Sequence, residues 1–121
     1  MHLQELIKKN LEQIRMLYLQ TFEELTNNQT NIEIVIKEVL DKKITEDQAV
    51  EKINKAVLYA EELQKGFSKK MKESLNSLIS CFPDVDSEEV KKIKDEIEKI
   101  YLEMEDGVSR FVEKVKELYK I

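Results

Sequence analysis

Apolar residues recur along this chain in steps of three and four, with charged residues between them, and that period belongs to amphipathic helices. In the first third they fall at Leu3, Ile7, Leu11, Ile14, Tyr18, Phe22 and Leu25, and Leu6, Leu17 and Leu19 widen the stripe. A stripe this wide predicts two neighbours for the helix that carries it. The phase then runs through position 29 to Ile32, Ile36, Val39 and Leu40, so the spacing predicts one helix over about 2–40 with Gln29 at the centre of its stripe. Residues Thr26 to Asn31 are poor helix formers that compete for their own backbone, so a break near Asn28 is the alternative, and it would make four helices in place of three.

The middle stretch is opened by Thr45, with Gln48 three residues later and Glu46 and Asp47 in the first turn. This is a capping box with favourable charge at the helix N-terminus. Its stripe is Ala49, Ile53, Ala56, Val57, Ala60, Leu63, Phe67, Met71, Leu75 and Leu78, small residues first and large ones after. The predicted helix covers about 45–81, tight against its neighbours near Ala56 and Ala60 and wider near Phe67. Gly66 lies beside the stripe, where it is expected to leave room for a neighbouring side chain. Pro83 marks the one firm break, because the residue before a proline avoids helical geometry.

A last helix is expected over about 87–120, capped by Asp86 or Ser87. Its stripe is Val90, Ile93, Ile97, Ile100, Met104, Val108, Phe111, Val115 and Leu118, joined by Tyr101, Val112 and Tyr119. The phase passes through Asp106-Gly107 without a break. The predicted fold is all-α: a single domain over 1–121 built as an elongated antiparallel up-down-up bundle of three long helices. With 37% charged and 41% hydrophobic residues, composition agrees.

Charge and chemistry narrow the function. A net charge of -5 offers no general attraction to nucleic acid or anionic lipid. The N-terminus has no signal-peptide pattern and no apolar run reaches the roughly 20 residues that span a bilayer, so a cytoplasmic protein without membrane contact is expected. The single cysteine, Cys81, excludes an internal disulfide; it sits at a helix C-terminus with no histidine at hand, and is expected to fill space beside Phe82. The single histidine, His2, is expected to be an exposed terminal residue, and one histidine cannot supply the Glu-x-x-His pairs of a di-iron bundle. Neither a cofactor nor a small-molecule ligand is indicated.

Three function classes are worth carrying forward. The favoured one is a non-enzymatic protein–protein interaction module, an adaptor, small chaperone or structural subunit, that binds a protein partner or a second copy of itself. Its candidate surface is an apolar strip outside the first helix's central stripe: Leu6, Leu17 and Val35 on one edge, Met16 and Ile34 on the far side. The second is a Mg²⁺-dependent nucleotide pyrophosphohydrolase using Glu61, Glu62, Glu103 and Asp106, disfavoured because Asp106 falls opposite the apolar stripe. The third is weak nucleic-acid binding through Lys65, Lys69, Lys70 and Lys72, disfavoured because Phe67 among them lies on the stripe and is expected in the core.

Overall fold

The computed structural model describes residues 2–82 and 87–119, the side chain of His2 excepted. The expectations placed on His2, on Asp86 as a cap and on a helix end at Lys120 lie outside the described residues. Three helices, α1 (His2–Leu40), α2 (Glu46–Ser80) and α3 (Glu88–Tyr119), pack against one another as an all-α three-helix bundle. Cross-helix pairs fix their directions. Asn10 reaches Ser74 and Asn28 reaches Ala56, so α1 and α2 are antiparallel. Tyr101 meets Ser74 while Lys116 meets Glu61, so α2 and α3 are antiparallel as well. The up-down-up course follows.

The Asn-rich stretch does not break α1. Asn28, rather than Gln29, is the buried residue, and its side-chain amide donates to the Ala56 carbonyl at 2.9 Å. The small Ala56 side chain leaves that carbonyl within reach, and a buried amide so partnered carries little desolvation penalty. Thr21 and Thr30 turn their hydroxyls back onto the Leu17 and Thr26 carbonyls.

The α1–α2 turn closes the helix by a Schellman arrangement. Lys43 N donates to the Glu38 carbonyl at 2.8 Å and Lys42 N to the Val39 carbonyl at 3.0 Å. Lys42 takes the left-handed conformation there, φ 60, in place of the usual glycine. The capping box is present as expected: Gln48 N donates to Thr45 Oγ1 at 3.2 Å and Thr45 N to Gln48 Oε1 at 3.0 Å.

Two clusters make the core. The larger holds Ile14, Leu25, Phe67, Met71, Val108 and Val112 among its buried members; the smaller, toward the α1–α2 turn, holds Ile32, Ile53, Val57 and Val115. On α3 the buried line is Ile97, Tyr101, Val108, Val112 and Val115, while Ile93, Ile100 and Leu118 are exposed. The α3 stripe is thus turned toward α2, the neighbour it contacts more closely than α1. Ile93, Ile100 and Leu118 fall on its α1 side, as Gly107 does.

The glycines reverse one expectation. Gly66 is exposed and a Cβ there would meet nothing within 4 Å, whereas a Cβ on Gly107 would stand 3.1 Å from the Tyr18 hydroxyl. It is therefore Gly107 that makes room for a neighbour. Gly66→Ala is expected to raise stability by about 1 kcal/mol from helix propensity alone. Gly107→Ala is expected to gain less, because Tyr18 must shift. Urea denaturation of the two variants checks the order, and a loss of stability at Gly66 would contradict it.

Candidate functional site

The structure divides the apolar strip read from the sequence. Leu17 packs against the larger core cluster and Val35 against the smaller one, because their edge of α1 is the edge that α2 covers. Leu6, Met16 and Ile34 remain exposed. The five residues therefore do not form one continuous surface.

A different apolar surface takes its place. The last described residue of α3, Tyr119, packs with the cluster of Ile32, Ile53, Val57 and Val115. Past that level the α1–α2 hairpin continues for about 15 Å, at about 1.5 Å per residue, with no described residue of α3 beside it. There Ile36, Val39, Leu40, Ala49, Val50 and Ile53, with Glu46 at the start of α2, line an open groove of about 260 Å³. Leu40 is 76% exposed and Ile36 is exposed too. The groove continues the line along which α3 packs lower down, so its shape already accepts a helix.

The charges beside the groove reverse sign along each helix. One helical step outside the groove, α1 carries Glu33 and then Lys37, and α2 carries Asp47, Glu51 and then Lys55. Glu51 and Lys55 pair with each other at 3.3 Å. The sequence held the components of this surface, since Ile36, Val39 and Leu40 stand on the α1 stripe. What it lacked was the axial position of α3, which leaves these residues without a described residue of α3 beside them.

The carboxylates proposed for a metal site do not converge. Glu61 pairs with Lys116 of α3 at 3.6 Å, and Glu103 lies thirteen residues from Lys116 on that helix, about 20 Å along its axis. Asp106 is engaged by Arg110 on the same exposed face. Among the described residues no three His, Cys, Asp or Glu side chains group closely enough to hold a metal ion. Phe67 is 2% exposed and its ring lies 6.2 Å from that of Tyr18, which makes it core and removes it as a base-stacking platform. Lys65, Lys69 and Lys72 line the α2–α3 groove, while Lys70 lies on the α1 side of α2.

Cys81 differs from its expected place. It is exposed, its thiol donating to the Ser77 carbonyl at 3.3 Å, and Phe82 beside it is the buried residue, with Lys94 Nζ 5.5 Å from its ring centre. No helix among the described residues is long and apolar enough to cross a membrane.

One polar cluster lies between the three helices, its Tyr101 buried and its Asn10 and Ser74 half-buried. Asn10 Nδ2 donates to Ser74 Oγ at 2.9 Å, and Tyr101 Oη donates to Asn10 Oδ1. Ser74 and Tyr101 oxygens stand 3.3 Å apart. Because the tyrosine proton is committed to Asn10, Ser74 is the donor in that pair, and the three bonds close a ring. Burial raises the Tyr101 pKa above 10.0, with the Ser74 hydroxyl, which donates to the phenol oxygen, pulling the other way. Each side chain is held by the other two, and the ring ties one residue of each helix to the others. Comparison with protein-family models, curated proteins and solved structures finds no match to this chain.

Proposed function

We propose that this chain is a non-enzymatic helical interaction module that pairs with a second copy of itself through the free end of the α1–α2 hairpin. The observation that carries the reading is the groove lined by Ile36, Val39, Leu40 and Val50 beyond the end of the described α3. A contiguous apolar surface of this kind, rimmed by charge, is what a helical partner covers. A second copy suits it for two reasons. Tip-to-tip antiparallel pairing places each hairpin end in the space beyond the partner's α3, where no described helix obstructs it. It also sets Glu33 opposite Lys37, because that pair reverses sign along α1.

The surface is short, so the contact belongs to the small, weak class of interfaces rather than to obligate dimers. The exposed Cys81 thiol suits a reducing, cytoplasmic setting. Sedimentation velocity over a wide concentration range is expected to show reversible dimerisation. The Ile36→Glu, Leu40→Glu double variant is expected to weaken it at least tenfold, about 1.4 kcal/mol. Circular dichroism of that variant should stay unchanged, because both side chains are exposed in the monomer. A chain that is monomeric at every concentration, or a dimer indifferent to both substitutions, would remove the proposal.

A further inference from the structure

A second surface, remote from the hairpin end, carries a different chemistry. Between α2 and α3 lies a groove of about 440 Å³ lined by Glu61, Gln64, Lys65, Ser68, Lys69 and Lys72 from α2 and by Lys116 from α3, with Glu61 its one carboxylate. Lys116 is held by Glu61 and Glu113, each at 3.6 Å. The other three lysines make no ion pair among the described residues. Their spacing of four and three residues puts them on one face of α2, where like charges repel and a bound anion would relieve that repulsion. In a chain of net charge -5 this is a local excess of positive charge.

The dimensions of the patch select the anion. From Lys65 to Lys72 the three positions span about 10 Å of helix. Glu61 and Glu113 bound the patch at one end, and Glu98 and Glu105, which line the adjoining hollow with Lys72, bound it at the other. A nucleic-acid strand would run on past these carboxylates and be repelled, so the patch cannot neutralise a long series of phosphates. A compact anion ends where the lysines end. Ser68 and Gln64 add neutral hydrogen-bond donors, and no aromatic side chain lines the groove to hold a base.

We propose that the α2–α3 groove binds a short chain of linked phosphates through Lys65, Lys69 and Lys72, whether as an inorganic oligophosphate or as the tail of a nucleotide. The site is independent of the hairpin end and goes beyond the pairing function.

The test is a calorimetric titration of the full chain, at about 0.1 M salt so that diffuse charge effects are screened. The probes are tripolyphosphate, ATP, GTP, orthophosphate and a single-stranded oligonucleotide. Tripolyphosphate and both nucleotides are expected to bind with affinities within a few-fold of one another, and at least tenfold more tightly than orthophosphate. Tighter ATP or GTP binding than tripolyphosphate would overturn the assignment to the phosphate chain alone, and tighter oligonucleotide binding would overturn the compact site. Lys69→Gln should weaken binding at least tenfold and Glu61→Gln, which frees Lys116, should strengthen it. Lys70→Gln, on the opposite side of α2, should leave it unchanged. Lys69 and Lys70 are both exposed, so folding does not confound the comparison between them. No saturable binding, or equal losses at Lys69 and Lys70, would overturn the proposal.

Discussion

Phe67→Ala is expected to lower the free energy of unfolding by about 3–5 kcal/mol, the largest effect of any substitution considered for this chain. Phe67 is 2% exposed and sits where the three helices meet. Its ring lies 6.2 Å from that of Tyr18, which lies 4.8 Å from Phe22, which lies 5.6 Å from Phe111. The aromatic series therefore runs from α2 through α1 to α3. Removing its first ring takes away buried apolar area and leaves a cavity that rigid helices on either side cannot close. For a domain whose total stability is about 5–15 kcal/mol, that loss approaches unfolding at physiological temperature.

Urea denaturation followed by circular dichroism measures the loss. The slope with denaturant should hold, so that the midpoint moves because stability has changed and not because the unfolded chain has become more compact. Phe67→Leu, which keeps most of the volume, should cost much less. A loss below about 1 kcal/mol for the alanine variant would mean that the ring is not packed as core. It would also revive the reading of Phe67 as an aromatic platform between lysines.

The spacing of apolar residues was enough to obtain the three helices, their order and most of their ends, because amphipathic period and end chemistry are local properties. Thr45 and Gln48 form the capping box that their spacing implies. Continuity of α1 through residues 26–31 was also legible, from phase against propensity. The rotation of each helix about its axis was not. Placing Leu17 and Val35 against the core, or Ile100 and Leu118 outside it, requires knowing which neighbour packs closest, and that depends on side chains far apart in sequence. Asn28 shows the same limit. A polar residue one position from the expected stripe was read as outside it, yet it is buried because Ala56 on another helix offers a carbonyl. The groove at the hairpin end was missed for a related reason. Helices of similar length invite the assumption of matched ends, whereas the observed register leaves Leu40 beyond the reach of the described α3.

Register is also where the second large effect is expected. Tyr101→Phe removes one hydroxyl from the ring of Asn10, Ser74 and Tyr101, leaving Asn10 Oδ1 without its donor and Ser74 without its acceptor. A buried group left unpartnered costs about 1–3 kcal/mol, and the half-buried Asn10 and Ser74 place the loss here toward the lower figure. The ring also gives stability a signature in pH. Burial holds the Tyr101 pKa above 10.0, so the folded state keeps its proton at a pH where the unfolded chain has begun to release it. The unfolded state then binds fewer protons, and stability falls as pH rises. The contribution is complete below pH 10 and is lost as pH climbs from there through the raised folded value.

Lysines titrate in the same range, so the informative quantity is the difference between the native chain and Tyr101→Phe. That difference should shrink above pH 10, and parallel stability curves up to pH 11 would show that the hydroxyl is not buried as described. Replacing all three members together, by Asn10→Leu, Ser74→Ala and Tyr101→Phe, separates the two roles of the ring. An apolar replacement strands no polar partner, so much of the lost stability should return. Among the described residues the ring is also the one place where α1, α2 and α3 are joined by directional bonds to each other, and apolar contacts alone tolerate axial slippage. The triple variant is therefore expected to fold with broadened amide resonances in all three helices, while Tyr101→Phe alone, which keeps the Asn10–Ser74 bond, stays sharp.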